Sequence, residues 1–236
     1  MVTCHLPFIL FLLTSVTAAY ISKKLTLPAS LTGGILAAII YLGVGWPGIF
    51  LLGTFFLLGT ASTSWKKRNK VQKNFASEAD SKRTTGQVLA NGGMAGILGI
   101  LSLILPEQGG LILLLIAAVF SSATADTVSS ELGSIYGSRF YDILSFQRRT
   151  PGADGIVSVE GTLFGIIGSI VVAVVYGVTG QFNSTFFWIV IAGILGNLTD
   201  SFLGATLERK GVLRNNAVNF LNTLVAVVFA YLLASF

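Results

Sequence analysis

Few side chains in this sequence are suited to chemistry, and the most telling are carboxylates. Ala125-Asp126-Thr127-Val128-Ser129-Ser130-Glu131-Leu132-Gly133 sets an aspartate and a glutamate at the close of an apolar run, Leu111 to Ala123, fit for a bilayer or a deep core. Ionisable groups are costly there and mark functional sites. A second stretch, Asn197 to Glu208, echoes it with Asp200, a hydroxyl and then Leu-Gly. Two carboxylates from separate helices suit Mg²⁺, which takes few carboxylates and leaves room for phosphate oxygens. Asp126 and Glu131 point about 140° apart on an ideal helix. They converge only if the helix ends or unwinds near Ser129; otherwise each meets a different neighbour. The one histidine, His5, and the one cysteine, Cys4, argue against Ser-His-Asp chemistry, an internal disulfide or a cysteine metal cage.

Other polar groups gather near the same helix ends. Gln87 and Asn91 share a helix face by their i,i+4 spacing, and Asn219 and Asn222 do so at i,i+3; the alternative for such amides is interhelical glue. Arg148 and Arg149 precede Pro151-Gly152-Ala153-Asp154-Gly155 and a helix start at Ser158-Val159-Glu160-Gly161-Thr162. Arginine forks and helix-N-terminal amides both suit phosphate, although the two arginines are also explained by topology alone. Lys66 to Lys73 read as a solvated basic loop, whereas Lys82 and Arg83 are near enough to Gln87 to reach a site. Gly92, Gly96 and Gly99, and Gly161, Gly165 and Gly168, read as helix-packing positions.

The elements that must position these groups are membrane helices. Of 236 residues, 53% are hydrophobic and 11% charged, well below the charge of an ordinary soluble protein. About eight spans are predicted, near 4–21, 30–45, 48–63, 87–105, 111–131, 157–179, 185–206 and 217–235. Leu6 to Ala19 reads as a retained helix and not a signal peptide. Gly45-Trp46-Pro47-Gly48 is a turn joining two short spans. All fifteen basic residues fall in the links after spans one, three, five and seven. The positive-inside rule therefore predicts a cytoplasmic site with both termini on the other side. Nine of the ten acids lie toward that face, Glu107 being the exception. The net charge of +5 is explained by topology and lipid headgroups, not by nucleic acid. The expectation is a single all-α membrane domain, 1–236, with peripheral helices in 1–63 and the motif-bearing part in 80–236.

Taken in order, the motifs Arg83…Gln87-Val88-Leu89-Ala90-Asn91-Gly92, Ala125-Asp126-Thr127…Ser130-Glu131-Leu132-Gly133, Pro151-Gly152…Asp154-Gly155…Ser158…Gly161-Thr162, Asp200-Ser201…Leu203-Gly204-Ala205-Thr206 and Val218-Asn219-Phe220-Leu221 resemble the integral-membrane phytyl-phosphate kinase family, long catalogued as a domain of unknown function. A fainter similarity reaches CTP-dependent polyprenol kinases and phosphatidate cytidylyltransferases. The chain departs from these patterns at Val128, where a tryptophan is usual, at Glu208, often glutamine, and at Val157, a lysine in polyprenol kinases.

The resemblance implies a membrane kinase that passes a phosphoryl group from a nucleoside triphosphate, CTP for choice, to an isoprenyl monophosphate such as phytyl phosphate. It implies Mg²⁺ on Asp126, Asp200 and Glu131, the last as third ligand or as support to the others. Phosphate and nucleotide contacts fall to Lys82, Arg83, Gln87, Asn91, Arg148, Arg149, Asp154, Gly155, Ser158, Glu160, Gly161 and Asn219. A role in tocopherol biosynthesis would follow from the resemblance and the host, and a homo-oligomer is compatible with the sequence. The alternatives are a prenyl alcohol kinase and a transporter using the intramembrane acids. Transporter sites sit near the midplane, whereas these groups cluster at one interface.

Overall fold

The computed structural model describes residues 2–72, 82–180 and 182–235; Lys73 of the basic link, and Glu78 and Asp80 of the acidic set, lie outside them. The helices are α1 Val2–Ile21, α2 Leu27–Val44, α3 Trp46–Ser64, α4 Lys67–Gln72, α5 Thr85–Ile104, α6 Gly109–Tyr136, α7 Val159–Thr179, α8 Thr185–Leu203 and α9 Asn215–Ala234. Among the described residues seven are long and apolar enough to cross a membrane, while α1 contributes a shorter apolar helix, His5–Ile21. The protein is a polytopic helical membrane protein, as composition predicted.

Local chemistry fixes the helix ends. Gly45, at φ 72°, closes α2 and opens α3, so the predicted four-residue turn contracts to one left-handed glycine followed by Pro47 in the first turn. Thr84 and Gln87 form a reciprocal capping box at the start of α5. Ser158 caps α7 by accepting from the Gly161 amide at 3.0 Å. α8 does not stop at Leu203 but runs on as a π-helical turn, Gly204–Glu208, a form frequent at functional sites.

α6 is the central post. It packs against α3, α5, α7, α8 and α9, and Ile116 to Phe120 are fully buried. Phe55 of α3 stacks on Phe120 with ring centroids 5.9 Å apart. Large apolar side chains such as Ile35, Leu57, Ile104 and Phe187 remain outside, exposed as lipid-facing groups are. α6 also continues to Tyr136 instead of ending near 131, so Glu131 stays helical.

The link from α6 to α7 holds an unpredicted element. β1 (Phe140–Asp142) and β2 (Ile156–Ser158) pair antiparallel, with Tyr141 opposite Val157. This ribbon folds back on the end of α8. Gly155, at φ 74°, leaves no room for a Cβ, which would meet Ala205 Cα at 2.7 Å. Asp142 Oδ1 accepts from the Leu144 and Ser145 amides at 3.0 and 3.1 Å, and Oδ2 accepts from Arg209 Nη1 at 2.9 Å. Arg209 Nε also donates to Asp154 O at 3.1 Å.

The Arg209 guanidinium first, then the Ser145 amide, hold the Asp142 carboxyl at about 2 against its partial burial. A carboxyl depressed in the folded state stabilises it above the unfolded value of about 3.9 and loses that effect as pH falls through the folded one. Pepsin cleavage of the ribbon is therefore expected to accelerate as pH drops from 4 to about 2. Asp142→Asn should cleave readily throughout and show no such step.

Candidate functional site

A single end of the bundle gathers the polar groups. A cavity of 660 Å³ opens there, within the usual range for ligand sites. Its walls come from the α1–α2 link, the end of α3, α4, the start of α5, the last turns of α6, the ribbon, the end of α8 and the start of α9. The first three helices, expected to be peripheral, thus supply lining through Lys24, Thr60, Thr63, Ser64 and, just beyond, Lys67.

The acids come from α6, α8 and the ribbon. Asp126 of α6 and Asp200 of α8 line the cavity together, close enough for their carboxyls to interact. Asn222 Nδ2 donates to Asp200 Oδ1 at 2.8 Å, and fully buried Ser122 donates to Asn222 Oδ1 at 3.1 Å. This chain fixes the orientation of Asp200. Glu208 and Asp154 line the same cavity. Asn91 donates to Gln87 O at 3.0 Å, but its buried Oδ1 has no partner among the described residues. A buried acceptor without a donor costs free energy, so Asn91 is poised for a cation or a ligand N–H.

The cations come from other segments. Arg83 N donates to Lys24 O at 2.9 Å, and Thr26 N to Arg83 O at 3.1 Å, which stitches the α1–α2 link to the start of α5. The Arg83 guanidinium lies 5.4 Å from the centre of the Phe55 ring, a cation–π contact. Burial lowers its pKa from the ordinary arginine value, and the nearby Glu131 carboxylate opposes the shift. Lys24 Nζ donates to Ser64 Oγ at 2.8 Å.

Glu131 is held elsewhere than on the aspartates. Lys70 Nζ lies 2.5 Å from Glu131 Oε2 and also donates to Ser62 O at 2.7 Å. Lys70 is 2% exposed, which corrects its reading as part of a solvated loop. Asp126 and Glu131 therefore point to different neighbours, as their angular separation required. Among the described residues no three metal-ligating side chains form one group.

The remaining predicted residues divide. Gln87, Asn219, Asp154, Gly155 and Ser158 line the cavity. Gln87 and Ser158 also serve as helix caps, and Asn219 donates to Asn215 Oδ1 at 3.3 Å. Glu160 accepts from Ser138 Oγ at 2.5 Å, and Gly161 packs against Gly133, so neither lines the cavity. Lys82, Arg148 and Arg149 are exposed and off its lining. The ribbon explains the arginines, since Arg149 N donates to Phe140 O at 3.0 Å and Arg148 bridges Tyr141, holding this segment along β1. Sequence reasoning missed Asn197, which lines the cavity one turn before Asp200; its i,i+3 spacing was the available signal. Lys24 and Lys67 carried no local signal.

Fold and site together define a polytopic membrane protein whose charged chemistry is collected in one cavity at one end of its bundle. Residues 10–227 match the family described as integral membrane protein DUF92, and the chain belongs to that family. This agrees with the family resemblance of the ordered motifs. The chain is 33% identical over 218 residues to an uncharacterized membrane protein of Synechocystis sp., covering 90% of this chain and 84% of the relative. It is 32% identical over 235 residues to an uncharacterized membrane protein of Methanocaldococcus jannaschii, covering 96% and 93%. Protein VTE6, chloroplastic, of Arabidopsis thaliana is 29% identical over 211 residues, 86% of this chain and 63% of that protein. No solved structure matches.

Breaking the buried Lys70–Glu131 pair should be costly because one charge is left without its partner. Lys70→Met is expected to lower stability by about 3 kcal/mol, and Lys70→Met with Glu131→Gln should recover most of it. Thermal unfolding in detergent, followed by tryptophan fluorescence, measures both.

Proposed function

We propose that this protein is a membrane kinase that transfers the γ-phosphoryl of a nucleoside triphosphate, CTP for choice, to an isoprenyl monophosphate such as phytyl phosphate. The observation that carries the reading is one cavity holding a facing carboxylate pair together with Lys24, Lys67 and Arg83, at one end of an apolar bundle. Phosphoryl transfer needs positioning and charge neutralisation more than covalent help, and those groups supply both. Membership of the family, with the resemblance of its ordered motifs to prenyl-phosphate kinases, supports the substrate class.

The donor set fits Mg²⁺. Asp126, Asp200 and the unpartnered Asn91 Oδ1 are hard oxygen donors, few in number, which leaves coordination positions for phosphate oxygens. Bound there, the ion would offset charge on the transferring phosphoryl oxygens. Asn222 holds Asp200 in place, and Glu208 adds negative charge nearby. Lys24, Lys67 and Arg83 bind the phosphates of donor and acceptor as fixed cations. A monophosphate acceptor is already anionic, so no side chain need remove a proton, in keeping with a chain whose one histidine is N-terminal. Asn219 orients a phosphate oxygen through its amide. By the positive-inside rule, the basic links support a cytoplasmic position for this end. Location at one end also favours an interfacial enzyme over a transporter, whose site would lie near the midplane.

The test is transfer of label from γ-labelled CTP or ATP to phytyl or geranylgeranyl monophosphate by purified protein with Mg²⁺. Diphosphate formation is expected, with kcat lowered on the order of a hundredfold or more by Asp126→Asn and by Asp200→Asn. Turnover of the free alcohol but of no monophosphate would sink the proposal and leave the alcohol kinase.

A further inference from the structure

A second hollow lies on the other side of the helices that wall the cavity. It is a groove of 520 Å³ between α2, α5 and α9, and among the described residues Asn216 is its one polar side chain. We propose that this groove holds the hydrocarbon tail of the acceptor while its phosphate enters the polar cavity; the assignment of the occupant rests on the kinase reading above.

Register on two helices carries the inference. On α5, Gln87 and Asn91 line the cavity while their chain neighbours Gly86 and Ala90 line the groove. On α9, Asn215 and Asn219 line the cavity while Asn216 and Phe220 line the groove. Each helix thus presents a polar face to one hollow and an apolar face to the other, at the same level of the bundle. At the polar end of the groove α5 and α9 pack closely, since a Cβ on Gly86 would meet Asn216 Nδ2 at 2.6 Å. The next residue on α5, Gln87, and the preceding one on α9, Asn215, line the cavity. From there the groove follows α5 to Ile100, about 21 Å of helix, a length suited to one extended isoprenoid chain. Its wall is low at Gly93, where an added Cβ would only touch the Phe220 ring at 3.6 Å. Leu89, Ile97 and Ile100 are exposed along its rim, so a lipid enters sideways from the bilayer. A diacyl lipid brings two chains; a prenyl monophosphate brings one, which matches a single groove beside the polar cavity.

The experiment uses full-length protein in phosphatidylcholine nanodiscs and a geranylgeranyl monophosphate carrying a diazirine at the tail end. Label competed by phytyl phosphate is expected on α2 near Leu36 and Ile39 and on α5 between Gly93 and Ile100. Gly93→Leu should cut that competed labelling about tenfold and flatten the fall of KM with tail length. Label spread over all lipid-facing helices and insensitive to competition would assign the groove to bulk lipid and overturn the proposal. So would unchanged competed labelling in folded Gly93→Leu protein. Transfer without groove labelling defeats the groove and leaves the kinase. Groove labelling without transfer to any monophosphate defeats the kinase and leaves the groove as an isoprenoid site.

Discussion

Asp126 and Asp200 can meet only because the backbone of α8 comes up against the small side chains of α6. Gly193 and Gly196, within two turns of Asp200, make this possible: any Cβ there would collide with Ser121 or Ser122 of α6. α7 closes on the other side of the post in the same way, since a Cβ on Gly165 would lie 2.9 Å from Ala125 O. Small residues serve in membranes where apolar side chains gain nothing by avoiding lipid. Here their effect is chemical as well as mechanical, because they bring two carboxylates into one site. Two such groups in contact repel when both are ionised, and the cations of the cavity all come from other segments.

Those segments are cross-braced at the same end. The Lys24–Arg83 backbone pairing ties the α1–α2 link to α5. Trp65 Nε1 donates to Tyr136 OH at 2.9 Å, tying the end of α3 to the end of α6. Lys70 pins α4 to Glu131, and Arg209 pins the ribbon to the π-helical end of α8. Away from the cavity the bundle relies on apolar packing around α6. Toward the cavity it relies on hydrogen bonds and ion pairs, the interactions whose satisfaction matters most in a low-dielectric setting.

The spans were legible because bilayer length and hydropathy constrain them directly. Gln87 and Ser158 were read near helix starts, and the helices begin at Thr85 and Val159, although the capping roles of Thr84, Gln87 and Ser158 were not foreseen. Asp126 and Asp200 were legible because a carboxylate in an apolar run is expensive enough to require a reason. What failed was pairing at a distance. Lys70 and Glu131 are 61 residues apart, and Arg209 and Asp142 are 67 apart; nothing local marks either pair. Arg148 and Arg149 have the right chemistry for phosphate, but an unforeseen ribbon of two three-residue strands keeps them outside the cavity. Lys24 and Lys67 look topogenic in sequence and reach the cavity only through the packing of α1–α4.

The most direct test of the acid pair as a metal centre is Mn²⁺ binding to the purified protein, read by electron paramagnetic resonance without nucleotide or lipid. One saturable site is expected, competed by Mg²⁺, weakened by at least about tenfold in Asp126→Asn and in Asp200→Asn, and kept in Glu131→Gln. Binding left unchanged by both aspartate variants would contradict a cation held between α6 and α8.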